Sequence, residues 1–549
     1  MSAAAVLAVA AGGVPASATM PLRLVIGDSR LTYVRARAAD ALGDPLLSAR
    51  LYAGLADSHP ADLLLAHRAT TAAINAGAFD LALATARRLP VDDLGLDARL
   101  LLVADALRRN RSDEALALIN ERTADGDGGF LAPLLRAWSE NEAGRDGLKP
   151  LAGDAVTQTL VGPFVNEQRA FLLLARGKSA EAGPFIAKAL DGAGGRVMRL
   201  RLAFAEGLRR VGDKQGALAL LAADEGTRGI DARRPAAKGI AIATPAAAYA
   251  ELLSGIAFAL LDSHEQALPI ALAQTARLAA PDSSQVAILL ALLLDRSERR
   301  AEALVALDGV PADDPFIGDA RDAEARVLTA MGRKADAVAF ARAALARLGG
   351  KAGPDDISRL GDALRDSGDH AAAADAYARA AARADAMGAG NRWSYRLLRA
   401  DQLEELGRWP EARAELQAAL AVAPDQPLLL NFLGYGELER GEDLVSAEAM
   451  IRKASALRPT DASITDSLGW ALYKRGRLPE AIATLGKAAA GDPAQSEIHE
   501  HLGDALFTAG RRMEARFAWR AALVTAAGKD KTRLEAKLDG GLTAATAAP

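Results

Sequence analysis

The sequence predicts an all-α fold, an array of about fourteen helix-turn-helix repeats stacked one on the next. Three observations carry that expectation. At 549 residues the chain is too long for one compact core, whereas a repeat array lets each unit bury surface against its neighbours. Half the residues are hydrophobic but only 4% are aromatic, a composition that suits close-packed helices better than sheets. Finally, the chain repeats itself. "DSLGWALYKRGRLPEAIATLGKAAAGDP" (Asp466 to Pro493) is followed by "EHLGDALFTAGRRMEARFAWRAALVTA" (Glu500 to Ala526), with the same order of Leu-Gly, Ala-Leu-aromatic, Gly-Arg and Glu-Ala.

The frame is Leu468-Gly469, Ala481, Leu485, Ala488 and Pro493, and it recurs 34 positions later at Leu502-Gly503, Ala515, Trp519 and Ala522. Upstream it appears 35 positions earlier, at Leu433-Gly434, Ala447, Ile451, Ala454 and Pro459. Gly and Ala at these places let two antiparallel helices approach closely. The large Leu485 and Trp519 are expected to fill space between hairpins. Pro493 ends the second helix because it lacks an N–H and clashes with the preceding turn. A 34-residue frame of this kind resembles the tetratricopeptide repeat (TPR), which implies a right-handed superhelix, an α-solenoid.

Residues 1–18 read as a signal peptide: an apolar run from Ala3 to Ala11 precedes Ala16-Ser17-Ala18, a small-residue cleavage pattern, although a charged leader is lacking. Residues 30–222 hold diverged repeats whose second helices are marked by small residues near Ala49 and at Ala82, Ala115, Ala182 and Ala217, with one degenerate copy around Trp138 to Leu151. Residues 223–246 are rich in Gly, Pro and Arg and read as an insertion loop. Middle repeats at 247–353 carry Ala267, Ala303 and Ala337, and the well-formed repeats at 354–529 begin with Ala373 and Ala412. The remainder, 530–549, reads as an amphipathic capping helix and a disordered tail.

The search for chemistry returns little. The 66 basic and 70 acidic residues nearly balance, so there is no footprint for nucleic acid. The absence of cysteine removes disulfides, thiolate metal sites and cysteine-linked lipid. "GKS" at Gly177 to Ser179 lacks the glycine of a phosphate-binding loop, since Leu172 stands five positions earlier. The histidines of "HEH", His499 and His501, point to different faces of a helix, and His59, His67, His264 and His370 are scattered. No run is long and apolar enough for a transmembrane span. The sequence thus predicts a protein that is not an enzyme and needs no metal or cofactor.

By resemblance to TPR proteins, the first helix of each hairpin lines the inner groove. The implied groove residues are Leu428, Asn431, Phe432, Tyr435 and Leu438; then Ser463, Asp466, Ser467, Trp470, Tyr473 and Lys474; then Glu497, Glu500, His501, Asp504 and Phe507. Phe432, Tyr435, Trp470, Tyr473 and Phe507 form an aromatic stripe. It suits a peptide with apolar anchors, and Asp466, Glu500 and Asp504 would select basic flanks. The alternative is that these rings pack between neighbouring first helices. A clamp for a C-terminal carboxylate is disfavoured, because acids and Trp470 stand where such clamps carry Lys and Asn.

Residues 425 to 525 further resemble a group of bacterial envelope TPR proteins, whose best-understood type is a lipoprotein adaptor. That adaptor binds a carboxy-terminal processing protease and presents cell-wall hydrolases to it. The resemblance implies a periplasmic scaffold with protein or peptide partners, although a chain without cysteine cannot carry the lipid. Competing readings are a structural or assembly protein of the envelope, a cytoplasmic TPR scaffold, and an enzyme of the glycosyltransferase kind that carries TPR arrays.

Overall fold

The computed structural model describes residues 28–119, 128–153, 156, 158–223, 227, 238–263 and 266–548. The proposed signal peptide and most of the proposed insertion, with His264, lie outside them. Among the described residues every regular element is a helix. The chain divides into two compact units, residues 1–327 and 328–549.

In residues 328–549 the hairpins follow one pattern. Paired helices are Pro354–Ser367 with His370–Met387, Arg392–Glu405 with Trp409–Val422, Pro427–Glu439 with Leu444–Leu457, Ala462–Lys474 with Leu478–Gly491, and Ser496–Thr508 with Arg512–Leu523. Glycine closes the turns because the backbone there is left-handed: φ is +68° at Gly407, +66° at Gly441, +73° at Gly476 and +79° at Gly510. The next residue is often an arginine that pairs three positions on, as in Arg408–Glu411 and Arg511–Glu514 at 2.7 Å.

The fourth residue of each second helix is the point of closest approach. Ala373, Ala412, Ala447, Ala481 and Ala515 stand there, and all are fully buried. One turn further, a large side chain lies over a first-helix glycine. A Cβ at Gly469 would lie 2.6 Å from Leu485, at Gly503 2.4 Å from the Trp519 ring, and at Gly361 2.6 Å from Tyr377. Leu485 and Trp519 therefore fill hollows within their own hairpins, which corrects the expectation that they fill space between hairpins.

Residues 1–327 use the same fourth-position alanine at Ala82, Ala115, Ala182, Ala217 and Ala303, all fully buried. Ala267 breaks the register. It is the exposed first residue of Ala267–Ala279, and the buried fourth position belongs to Ile270. The degenerate copy shows a full first helix, Ala132–Glu142, followed by the 3-10 turn Lys149–Leu151.

This unit also makes contacts that simple stacking would not. Leu96–Arg108 packs on both Pro245–Ala259 and Ala267–Ala279, and Leu63–Asn75 packs on Ala267–Ala279. The Tyr249 hydroxyl donates to the Leu100 carbonyl at 3.1 Å, and Arg299 Nη2 donates to the Asn75 carbonyl at 2.8 Å. A buried ionic cluster ties further helices together. Arg196 meets Glu167 at 3.2 Å and Glu251 at 2.8 Å, while Arg199 meets Glu251 at 3.0 Å and donates to the Gly239 and Ile240 carbonyls.

Candidate functional site

Four consecutive first helices in residues 328–549 enclose an open groove of about 530 Å³. Arg392–Glu405 contributes Leu397, Leu398 and Asp401, and Pro427–Glu439 contributes Leu428, Asn431, Phe432 and Tyr435. Ala462–Lys474 contributes Ser463, Asp466 and Ser467, and the next hairpin adds Gln495, Glu497 and Ile498. Helical spacing explains the selection, since residues three and four apart share a face. The floor is apolar, with Leu428 and Phe432 only partly covered. The polar wall mixes Ser463, Ser467, Asn431 and Gln495 with the carboxylates, and two of its acceptors, Asp466 Oδ1 and Asn431 Oδ1, are buried without a partner.

Of the aromatic stripe and the three selecting acids, Phe432, Tyr435 and Asp466 line one groove, joined by the implied Leu428, Asn431, Ser463, Ser467 and Glu497. The other five do not line it. Trp470 is 1% exposed and sandwiched between Tyr473 (ring centroids 4.7 Å apart) and His501 (4.1 Å), with its indole N–H donating to Glu439 at 2.8 Å. Phe507 packs on Trp519 with centroids 5.4 Å apart. Glu500 and Asp504 are covered by the helix Gly528–Gly540. Fully buried Lys537 reaches Glu500 at 2.6 Å and Asp504 at 2.7 Å, and Arg533 reaches Glu500 at 2.7 Å. Burial alone would raise the Glu500 carboxyl, but Arg533 and Lys537 hold it below the usual range.

The tail expected as disordered is described through Ala548, and it returns to this second zone. The Ala548 N–H donates to Asp504 Oδ2 at 3.0 Å, and Ala548 is buried in one cluster with Trp470, Leu438 and Leu472. Gly541 lies against Phe507, where a Cβ would come within 2.8 Å of the ring. The implied inner face therefore has two zones: an open one at the start of the first helices, and one near their ends that the chain itself fills. Sequence reasoning missed Leu397, Leu398 and Asp401, although counting one repeat back from Phe432, past the Gly407-Arg408 turn, leads to them.

Electrostatics in the open zone are negative. Burial, then Glu439, Glu497 and Asp466, push the Tyr435 hydroxyl well above its ordinary value, and its O–H lies 3.5 Å from Glu497. His501 Nδ1 is 2.9 Å from Asp466 Oδ2. Burial pulls the imidazole down, but Asp466 outweighs it and the net direction is up. No set of three His, Asp or Glu side chains among the described residues could hold a metal ion.

The tetratricopeptide-repeat family model matches residues 358–427 and 397–462, and a second TPR model matches 469–510. The C-terminal hairpins are tetratricopeptide repeats. The TPR repeat-containing protein PA4667 of Pseudomonas aeruginosa is 39% identical over 67 residues, 12% of this chain. The match spans about 11% of that relative's length. Among solved TPR and other helical structures, the crystal structure of the APC/C hetero-tetramer Cut9-Hcn1 aligns over 94% of this chain and 97% of its own, with TM-score 0.36 and 14% identity. YrrB, described as a TPR protein with an unusual peptide-binding site, aligns over 34% of this chain and 91% of its own, with TM-score 0.27 and 16% identity. Among the described residues no helix is long and apolar enough to cross a membrane.

Proposed function

We propose that this chain is a non-catalytic scaffold that binds protein segments in the groove of its C-terminal TPR repeats. The observation that carries the reading is the groove itself: two of its four first helices present an apolar floor at Leu397, Leu428 and Phe432, beside unpartnered acceptors. Apolar anchors set in a polar rim are what peptide recognition requires. Within that reading, the protein is a periplasmic adaptor that presents substrates to a carboxy-terminal processing protease. The support for this narrower role is the resemblance of residues 425 to 525 to envelope TPR adaptors.

The test is capture of the tagged full chain from its own cells after mild crosslinking, with partners identified by mass spectrometry. A serine protease recovered with cell-wall hydrolases, and lost on Phe432→Ala, is the expected result. Recovery of cytosolic partners alone would overturn the envelope role. Partners that survive Phe432→Ala unchanged would overturn the groove.

A further inference from the structure

The groove combines an apolar floor with a polar wall whose charged members, Asp401, Asp466 and Glu497, are all acidic. Asp466 is 94% buried by its 6% exposure, and only its Oδ2 is engaged, by His501. Its Oδ1 is buried without a partner in a residue that lines the groove, and Asn431 Oδ1 is in the same state. Asp401 and Glu497 stand on the rim, and no basic side chain among the described residues forms an ion pair with either. Lysine and arginine are absent from the groove lining. The basic group seen on a lining carboxylate is His501, which when protonated offsets one of the three. Buried acceptors without donors are costly, so a ligand that brings donors relieves a standing penalty.

Resting on the groove reading above, we propose that the bound segment carries a lysine or arginine whose head docks on Asp466, between Asp401 and Glu497, with an adjacent apolar residue on Phe432 and Leu428. Charge complementarity then decides which segments bind, and the apolar floor supplies the anchor. A segment with Asp or Glu at that place would be repelled.

Random dodecapeptides displayed on phage and selected on the immobilised full chain test this. The expected result is enrichment of Lys or Arg next to an apolar residue. The best peptide, synthesised with both ends blocked, should lose about tenfold or more in affinity when its basic residue becomes norleucine, and also on Asp466→Asn. The two changes together should cost little more than either alone. Asp401→Asn, at an exposed position, gives a second readout with little bearing on folding. Selected peptides without basic residues, or binding indifferent to both Asp466→Asn and Asp401→Asn, would overturn the cationic preference. If Phe432→Ala still abolishes binding in that case, the groove reading stands without it. Binding indifferent to Phe432→Ala, or no selected peptide at all, would overturn both.

Discussion

Gly503 shows how one missing methyl fixes a hairpin. A Cβ there would sit 2.4 Å from the Trp519 indole, which is fully buried and donates to Asp504 at 2.9 Å, so neither partner can yield. Gly503→Ala should cost roughly 1–3 kcal/mol by overpacking, read as a fall in the denaturation midpoint of the full chain. Gly486→Ala is the contrast, since nothing lies within 4 Å of its Cβ position inside Leu478–Gly491. It should stabilise by about 0.5–1 kcal/mol through helix propensity. Glu167 gives a pH signature. Burial raises its carboxyl from 4.5 to about 7, Arg196 opposing and Glu251 adding to the shift. A carboxyl raised in the folded state contributes most below the unfolded value, and that contribution is lost as pH rises from about 4.5 through 7. Glu167→Gln should therefore stabilise residues 1–327 at pH 8 by on the order of 2–3 kcal/mol and do little at pH 4. Thermal melts across that range check it.

At the scale of the helix, the covering element Gly528–Gly540 depends on one buried cation. Lys537→Ala would leave Glu500 and Asp504 buried with Arg533 as the one remaining cation, at a cost of roughly 3–5 kcal/mol. Trypsin should then cut at Lys529 and Lys531 much faster while cleavage within residues 1–327 stays unchanged; equal rates would refute the docking. Element scale is also where the sequence was most legible. Gly-Arg followed by Glu-Ala marks a left-handed turn, a charged pair and a contact alanine, three local signals that agree, so hairpins such as Arg392–Val422 could be read directly. Ala267 misled because a small residue three positions early mimics the frame, whereas Ile270 occupies the contact. The candidate site was half legible. Helical spacing identified Phe432, Tyr435 and Asp466, but the same spacing selected Trp470, Glu500 and Asp504. What covers those residues, a helix and a tail from later in the chain, leaves no mark in the repeat pattern itself.

At the scale of the whole molecule, the two units differ in how they hold themselves. Residues 328–549 stack hairpin on neighbouring hairpin, so stability there is close to a sum of local terms and should fray from its ends. In residues 1–327 the segment around Asn75 to Leu100 is held by Tyr249 and Arg299. Hydrogen exchange should show Leu96–Arg108 and Pro245–Ala259 opening together, and Arg299→Ala should speed exchange in Leu63–Asn75 more than in Lys178–Ala222; independent opening would contradict this. The tail from Gly541 to Ala548 carries a different lesson. A segment joined by a few residues to the surface it covers competes at a local concentration on the order of millimolar, whatever the amount of protein in solution. Any outside molecule seeking Trp470 and Asp504 must first outcompete that tethered rival, so its apparent affinity falls short of its intrinsic one by the fraction of time the tail is away. The length and composition of those last residues would then act as a threshold, deciding how strong a guest must be before it is admitted.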